Sequence, residues 1–223
     1  MEENTIVFYI GSIGITTLVI TTWGIMLVLG VLSWFVTRSL SLKPGPLQTA
    51  LEGIISTMEA GIAAVLPGQA RQLLPFIATL WIYIVIANLT GLIPQLHSPT
   101  GNLSVTAGLA ILVFLSVHWF GIRQSGMRYF KHYLSPTPLL LPFHLISEVT
   151  RTIALAVRLF GNIMSLELVA LLVLLVAGLL VPIPLLMLHI VEALVQAYIF
   201  GMLALIYVAG AMQSQQSEKG KQL

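Results

Sequence analysis

Arg158 stands in the run Leu155-Ala156-Val157-Arg158-Leu159-Phe160-Gly161-Asn162, inside an apolar stretch long enough to cross a bilayer. A guanidinium keeps its charge in any protein environment. Placing it in hydrocarbon costs at least ~2.5–3.5 kcal/mol on insertion scales. No acidic residue stands at i±3 or i±4 to offset it. A charge kept in such a place points to an ion or proton pathway. It has polar company on the same helix. On an ideal wheel His144, Glu148, Arg151, Arg158 and Asn162 share a stripe about 80° wide, while Glu167 falls about 180° from Arg158. One helix thus carries two polar faces, the first from its start to its middle and the second past the middle. The next apolar run adds His189, Glu192 and Gln196, all within ~60° of arc of Glu192. If the two runs form a hairpin, Glu167, Glu192 and His189 can line one aqueous pocket open to the outside. Gln196 would lie near the midplane, ~18 Å from the Pro184 turn at 1.5 Å per residue. Glutamate and histidine in such a place exchange protons or bind cations.

The elements that must position these groups are membrane helices. Of the 223 residues, 57% are hydrophobic and 8% charged, against about 45–50% and about 25% in soluble domains. So few charges cannot cover a soluble fold. There is no cysteine and no aspartate, which excludes disulfides, thiolate metal sites and cysteine nucleophiles. No P-loop, zinc HExxH or GxSxG elbow is present, so no nucleotide, cofactor or metal site is expected. The net charge of +2 does not indicate nucleic-acid binding, because the few basic residues sit where the positive-inside rule places them.

A hydrocarbon core of ~30 Å needs about 20 apolar residues per helix. The chain reads as a single transmembrane domain over 1–223, all-α, with about five crossings and one amphipathic helix. The spans are expected at about 10–36, 73–93, 103–122, 143–180 and 185–212, with the amphipathic helix at about 47–66. The N-terminus, Met1-Glu2-Glu3-Asn4, is acidic and the run behind it too long for a signal peptide, so it reads as a retained span. The segment from Phe143 to Leu180 has no proline. At ~38 residues it would be ~57 Å long, nearly twice the hydrocarbon thickness, which predicts a strongly tilted helix. Val181-Pro182-Ile183-Pro184 reads as the turn of a long helical hairpin. Arg38, Lys43, Arg71, Arg123, Arg128, Lys131, Lys219 and Lys221 fall in alternate loops. That sets the N-terminus outside and the C-terminus in the cytoplasm.

Other polar residues have plainer explanations. Arg151 can pair with Glu148 as an (i, i+3) ion pair or belong to the functional stripe, and both remain open. His97 and His118 lie near span ends, His132 in a solvated loop, and Glu52 and Glu59 on a solvated or headgroup face.

The run Ser147-Glu148-Val149-Thr150-Arg151-Thr152-Ile153-Ala154-Leu155-Ala156-Val157-Arg158-Leu159-Phe160-Gly161-Asn162 resembles the signature of subunit a of F-type ATP synthases. So do Gln196-Ala197-Tyr198-Ile199-Phe200 and Ala87-Asn88-Leu89 with Leu92-Ile93-Pro94. The wording around Arg151 to Arg158 is most similar to the bacterial N-ATPase branch. The resemblance implies an ion-translocating stator, with two offset half-channels coupling H⁺ or Na⁺ flow to rotation of a subunit c ring. Arg158 would face the ring carboxylates, with Asn162 as its polar neighbour and Gln196 near it. Glu167 and His189 would serve the outer half-channel and Glu148 the inner one. The family often has a carboxylate or amide where this chain has His144, a departure that bears on the inner half-channel. Glu192 is placed in the outer channel from geometry alone. The implied partners are the c ring, the subunit b peripheral stalk, the rest of the complex and the lipid of a bacterial inner membrane, with no nucleic acid. Nucleotide chemistry would belong to partner subunits. A stand-alone secondary transporter is the alternative, and the absence of an internal repeat weighs against it.

Overall fold

A computed structural model of the chain describes residues 6–10, 13–38, 40–41, 43–93, 96, 98–126, 141–177 and 182–213. Among them are six α-helices: α1 (Thr17–Arg38), α2 (Pro46–Val65), α3 (Ala70–Leu89), α4 (Leu103–Ser125), α5 (Leu141–Ala177) and α6 (Pro182–Gln213). All but α2 are long and apolar enough to cross a membrane. The expected all-α membrane architecture with five such helices is what the structure shows. Short 3₁₀ turns, Thr90–Leu92 and Pro99–Gly101, flank the connection from α3 to α4. His97, Arg128, Lys131, His132, Val181, Lys219 and Lys221 lie outside the described residues.

The first span was expected to begin near Ile10, and here the structure differs. Ile6–Ile10 (β1) and Ile13–Thr16 (β2) form an antiparallel hairpin, and the helix begins only at Thr17. The physical reason is local. Ile6, Val7, Ile10, Ile13, Ile15 and Thr16 are β-branched and favour extended backbone. Hydropathy alone does not separate an apolar strand from an apolar helix. The second difference is at the start of α6. Pro182 and Pro184 belong to its first turn instead of a loop before it. Proline is tolerated there because the first amides of a helix have no intrahelical partner.

Elsewhere the helix ends follow their sequences. α2 starts on Pro46 after an extended Gly45, the pattern that proline at the first helical position favours. Asn102 caps α4 by accepting the Ser104 amide at 2.8 Å, and α4 stops at Gly126 with φ +59°, a left-handed position suited to glycine.

The core lies where α3, α4, α5 and α6 meet, with α2 packed against α3 and α6. Half of the spanning part of α3 and of α6 is buried, whereas α1 and α5 leave most of their surface open. Lipid gives helices no hydrophobic reason to associate, so close backbone approach through small residues matters. The buried faces carry them: Ala78 and Ala87 on α3, Ala110 on α4, Ala156 on α5, and Ala193, Ala197, Ala204 and Ala209 on α6. Larger residues fill the space between, among them Leu73, Ile77, Ile84, Leu159, Phe200 and Leu205. The tightest approach is at Gly201, where any Cβ would overlap the Trp81 indole. That indole donates Nε1–H to the Tyr198 carbonyl at 3.3 Å and stacks on the Tyr198 ring. α3 and α6 are thereby locked in the register on which the polar groups depend.

Candidate functional site

Three polar regions lie along α5, and its neighbours complete two of them. The first is at the end from which the chain passes to α6. The last carbonyls of α3 have no intrahelical partner, and other elements supply the missing donors. Ser98 Oγ donates to the Ala87 carbonyl at 2.8 Å and Thr90 Oγ1 to the same oxygen at 2.6 Å. His189 of α6 bonds to the Asn88 carbonyl through Nε2 at 3.2 Å. A carbonyl has no proton to give, so Nε2 carries the hydrogen, and Nδ1 is the nitrogen that can take up or release a further proton. Nδ1 makes no hydrogen bond among the described residues.

The Asn88 side chain joins the same end. Its Nδ2 donates to the Ala193 carbonyl at 3.4 Å, and its Oδ1 accepts from Thr100 Oγ1 at 2.6 Å. Thr100 Oγ1 also meets Ser98 Oγ at 2.6 Å. Two hydroxyl protons therefore serve three contacts. Asn88, Ser98, Thr100 and His189 are all buried, and together they satisfy the polar groups that burial would otherwise leave unpaired. Glu167 of α5 reaches this cluster, where the Ser98 amide donates to its Oε1 at 3.3 Å. Its carboxylate lies against Gly91 and Gly101, and the His189 ring also lies near Gly91.

The second region is midway along α5. Asn162 Nδ2 donates to Gln196 Oε1 of α6 at 2.7 Å. Gln196 is buried, and its Nε2 has no partner, a costly state for an amide in an apolar interior. One turn back, Arg158 is exposed and makes no hydrogen bond or ion pair among the described residues. On its side of α5 Ala154, Ser165 and Val169, within ~40° of it on an ideal wheel, are also exposed.

The third region is near the start of α5. Arg151 pairs with Glu148 at 3.3 Å and lies 5.5 Å from the centre of the Tyr207 ring of α6. The (i, i+3) ion pair is therefore present, and a cation–π contact to α6 comes with it. His144, at the same end of α5, is exposed.

The structure brings together Glu167 with His189, Asn162 with Gln196, and Glu148 with Arg151. It does not bring Glu192 to the first pair: Glu192 is half-buried and makes no hydrogen bond or ion pair among the described residues. Away from these regions, His118 bonds through Nδ1 to the Phe114 carbonyl on its own helix. Glu52 accepts from Gln48, and Glu59 pairs with an almost fully exposed Arg71. Reading the residues by type alone missed Ser98, Thr100, Gly91 and Gly101. The available signal was a connection between two spans with no lysine or arginine but with small polar residues in it.

These helices and the polar groups between them define a multi-pass integral membrane protein. The family model described as ATP synthase A chain matches residues 19–209. The chain is 61% identical over 220 residues to ATP synthase subunit a 2 of Pelobacter propionicus, covering 98% of this chain and 96% of the relative. It is 66% identical over 205 residues to ATP synthase subunit a 1 of Hahella chejuensis, with 92% and 88% covered. It is 60% identical over 211 residues to ATP synthase subunit a of Legionella pneumophila strain Paris, with 94% and 92% covered. The chain belongs to the family of F-type ATP synthase a subunits.

Proposed function

We propose that this chain is the ion-translocating stator of an F-type ATP synthase, assembled with a subunit c ring and a subunit b stalk in a bacterial inner membrane. Its N-terminus faces outside and its C-terminus the cytoplasm. The observation that carries this reading is Arg158: an exposed guanidinium within a span-length helix, with no hydrogen bond or ion pair among the described residues. A permanent charge in that setting needs a counter-charge, and a carboxylate on a rotating ring supplies one.

An ion from outside passes through Glu167, Glu192 and His189, with His189 nearer the outer end of α6 than Glu192. It then neutralises a ring carboxylate, and the neutral site can turn into lipid where an ionised one could not. After nearly a full rotation the site meets the inner path at Glu148 and His144 and releases its ion. Arg158 stands between the paths, attracting the ionised carboxylate and repelling a free cation. Asn162 and Gln196 hold the polar surface beside it. Each elementary charge crossing 100 mV releases ~2.3 kcal/mol to drive the turn. The 37 residues of α5 span ~55 Å at 1.5 Å per residue. A strong tilt would keep them in a core of ~30 Å and lay the helix along the curved ring.

The test is Arg158→Ala in the assembled complex, reconstituted in vesicles. The expected result is loss of ion-driven ATP synthesis with normal assembly and a raised passive ion leak. Full coupled synthesis would reject the mechanism and favour a secondary transporter.

A further inference from the structure

Gly91 and Gly101 both lie against the Glu167 carboxylate. A Cβ on Gly91 would stand 3.1 Å from Glu167 Oε1 and 3.2 Å from Ser98 Cβ, and one on Gly101 would stand 3.2 Å from Oε2 and 3.5 Å from Oε1 of Glu167. The two closest separations from the carboxylate are shorter than a methyl group and an oxygen ordinarily keep, so a side chain at either position pushes the carboxylate away. Backbone conformation does not explain these glycines. Among the described glycines only Gly68 and Gly126 have positive φ, so alanine is conformationally allowed at 91 and 101. Nor is close packing general here: of the other glycines described in this way only Gly201 meets anything within 4 Å, and that neighbour is an indole.

We infer that Gly91 and Gly101 are positioning residues that form a side-chain-free notch in which the Glu167 carboxylate sits beside His189. The inference rests on the reading of Glu167 as an ion-transfer group. A glutamate side chain has three rotatable bonds and many rotamers. In the notch, the Ser98 amide donates to one carboxylate oxygen at 3.3 Å, and bare backbone at Gly91 and Gly101 leaves room for both oxygens. Backbone at these three residues thereby helps to set the position of the carboxylate. Gly91 has the larger effect of the two. The same Cβ that meets Glu167 Oε1 would stand 3.6 Å from His189 Cε1, so a methyl there touches both the carboxylate and the imidazole. At Gly101 it displaces the carboxylate alone.

The experiment is a double-mutant cycle in the assembled complex in vesicles, scored by ion-driven ATP synthesis per assembled complex. Gly91→Ala is expected to lower the rate by about 10–100-fold, the scale of an ångström-level misplacement of a reacting group. Gly101→Ala is expected to lower it less. Glu167→Asp withdraws the carboxylate by one methylene, lowers the rate by itself, and makes room for the methyl. A methyl at Gly101 meets only the carboxylate, so Gly101→Ala with Glu167→Asp is expected to exceed the product of the two single effects. A structural role for the glycine predicts no such recovery. Wild-type rates in both alanine variants, or a double variant equal to the product of its singles, would overturn the notch. If Gly91→Ala does not assemble, the cycle at Gly101 still decides. Glu167→Gln separates the two levels. If it is active, the ion-transfer reading of Glu167 fails. If it is inactive while the alanine variants are unaffected, only the notch fails.

Discussion

Glu167 and Arg158 sit about two and a half turns apart on α5 at 3.6 residues per turn, and the chain treats them in opposite ways. Around Glu167, backbone and side chains from α3, the connection to α4 and α6 close a network in which Asn88, Ser98, Thr100 and His189 are buried and bonded. Arg158 stands exposed, with no hydrogen bond or ion pair among the described residues. The pair Asn162–Gln196 lies between these extremes, with one bond made and one buried donor left over. A charge in a membrane is tolerated only where something answers it. The contrast teaches that this chain completes one polar site from its own residues. On our proposal it leaves the other to be completed by a second surface that moves past it.

The sharpest way to break the comparison is Glu167→Gln. It keeps the shape of the side chain and an acceptor for the Ser98 amide but cannot titrate. Ion-driven ATP synthesis in vesicles is expected to fall by at least about 100-fold, the scale of a lost proton-transfer group, with assembly unchanged. A rate within a few-fold of wild type would leave the closed region without a role in transfer. Asn162→Leu acts on the middle region. It removes the donor that buried Gln196 Oε1 has among the described residues and is expected to cost about 1–3 kcal/mol, the penalty of an unpaired buried group. Thermal dissociation of the purified complex measures that cost, and the leak assay shows whether the Arg158 surface has shifted.

Thr100→Val probes the closed region alone. The swap keeps the shape but removes the donor to Asn88 Oδ1. Hydrogen bonds between membrane helices average about 0.6 kcal/mol in measured cycles, so a stability loss of about that size is expected, with coupled synthesis reduced only as far as His189 moves. A stability loss above about 3 kcal/mol would show that the network is more cooperative than its single bonds. The smallest effect belongs to Arg71→Ala. Its bond to Glu59 is solvent-exposed, and such pairs contribute about 0–1 kcal/mol. Synthesis, leak and stability are all expected to stay at wild-type values.

What the sequence discloses follows from which forces act locally. The five span-length helices are legible because each must present about 20 apolar residues to lipid, and Arg158 is legible because nothing around it in the chain is charged. The resemblance of residues 147–162 and 196–200 to a known signature added the family. The N-terminal hairpin is hidden by hydropathy, which weighs Ile6 to Thr16 the same in a strand as in a helix. Pro182 and Pro184 read as a turn because proline ends helices, yet it also begins them. The notch around Glu167 is the least legible part. Gly91, Ser98 and Gly101 lie about 70 residues before Glu167 in the chain, and ordinary residue types like these carry no chemistry until tertiary packing brings them to a carboxylate. The likeness of Arg151 to an (i, i+3) partner of Glu148 was readable, while its contact with Tyr207 depends on α6.

The central claim is that the open face of α5 around Arg158 is answered by another chain, and cross-linking tests it most directly. The chain has no cysteine of its own, so single cysteines can be placed one at a time and treated with a short bis-maleimide in the assembled, membrane-embedded complex that carries one cysteine on each ring subunit. The account predicts capture of the ring from Ala154→Cys, Ser165→Cys and Val169→Cys, which replace exposed residues within ~40° of Arg158 on the helix wheel. It predicts none from Ala156→Cys and Ile163→Cys, which replace buried ones. Capture that ignores this division, or no capture from any exposed position in a complex that still synthesises ATP, would contradict it.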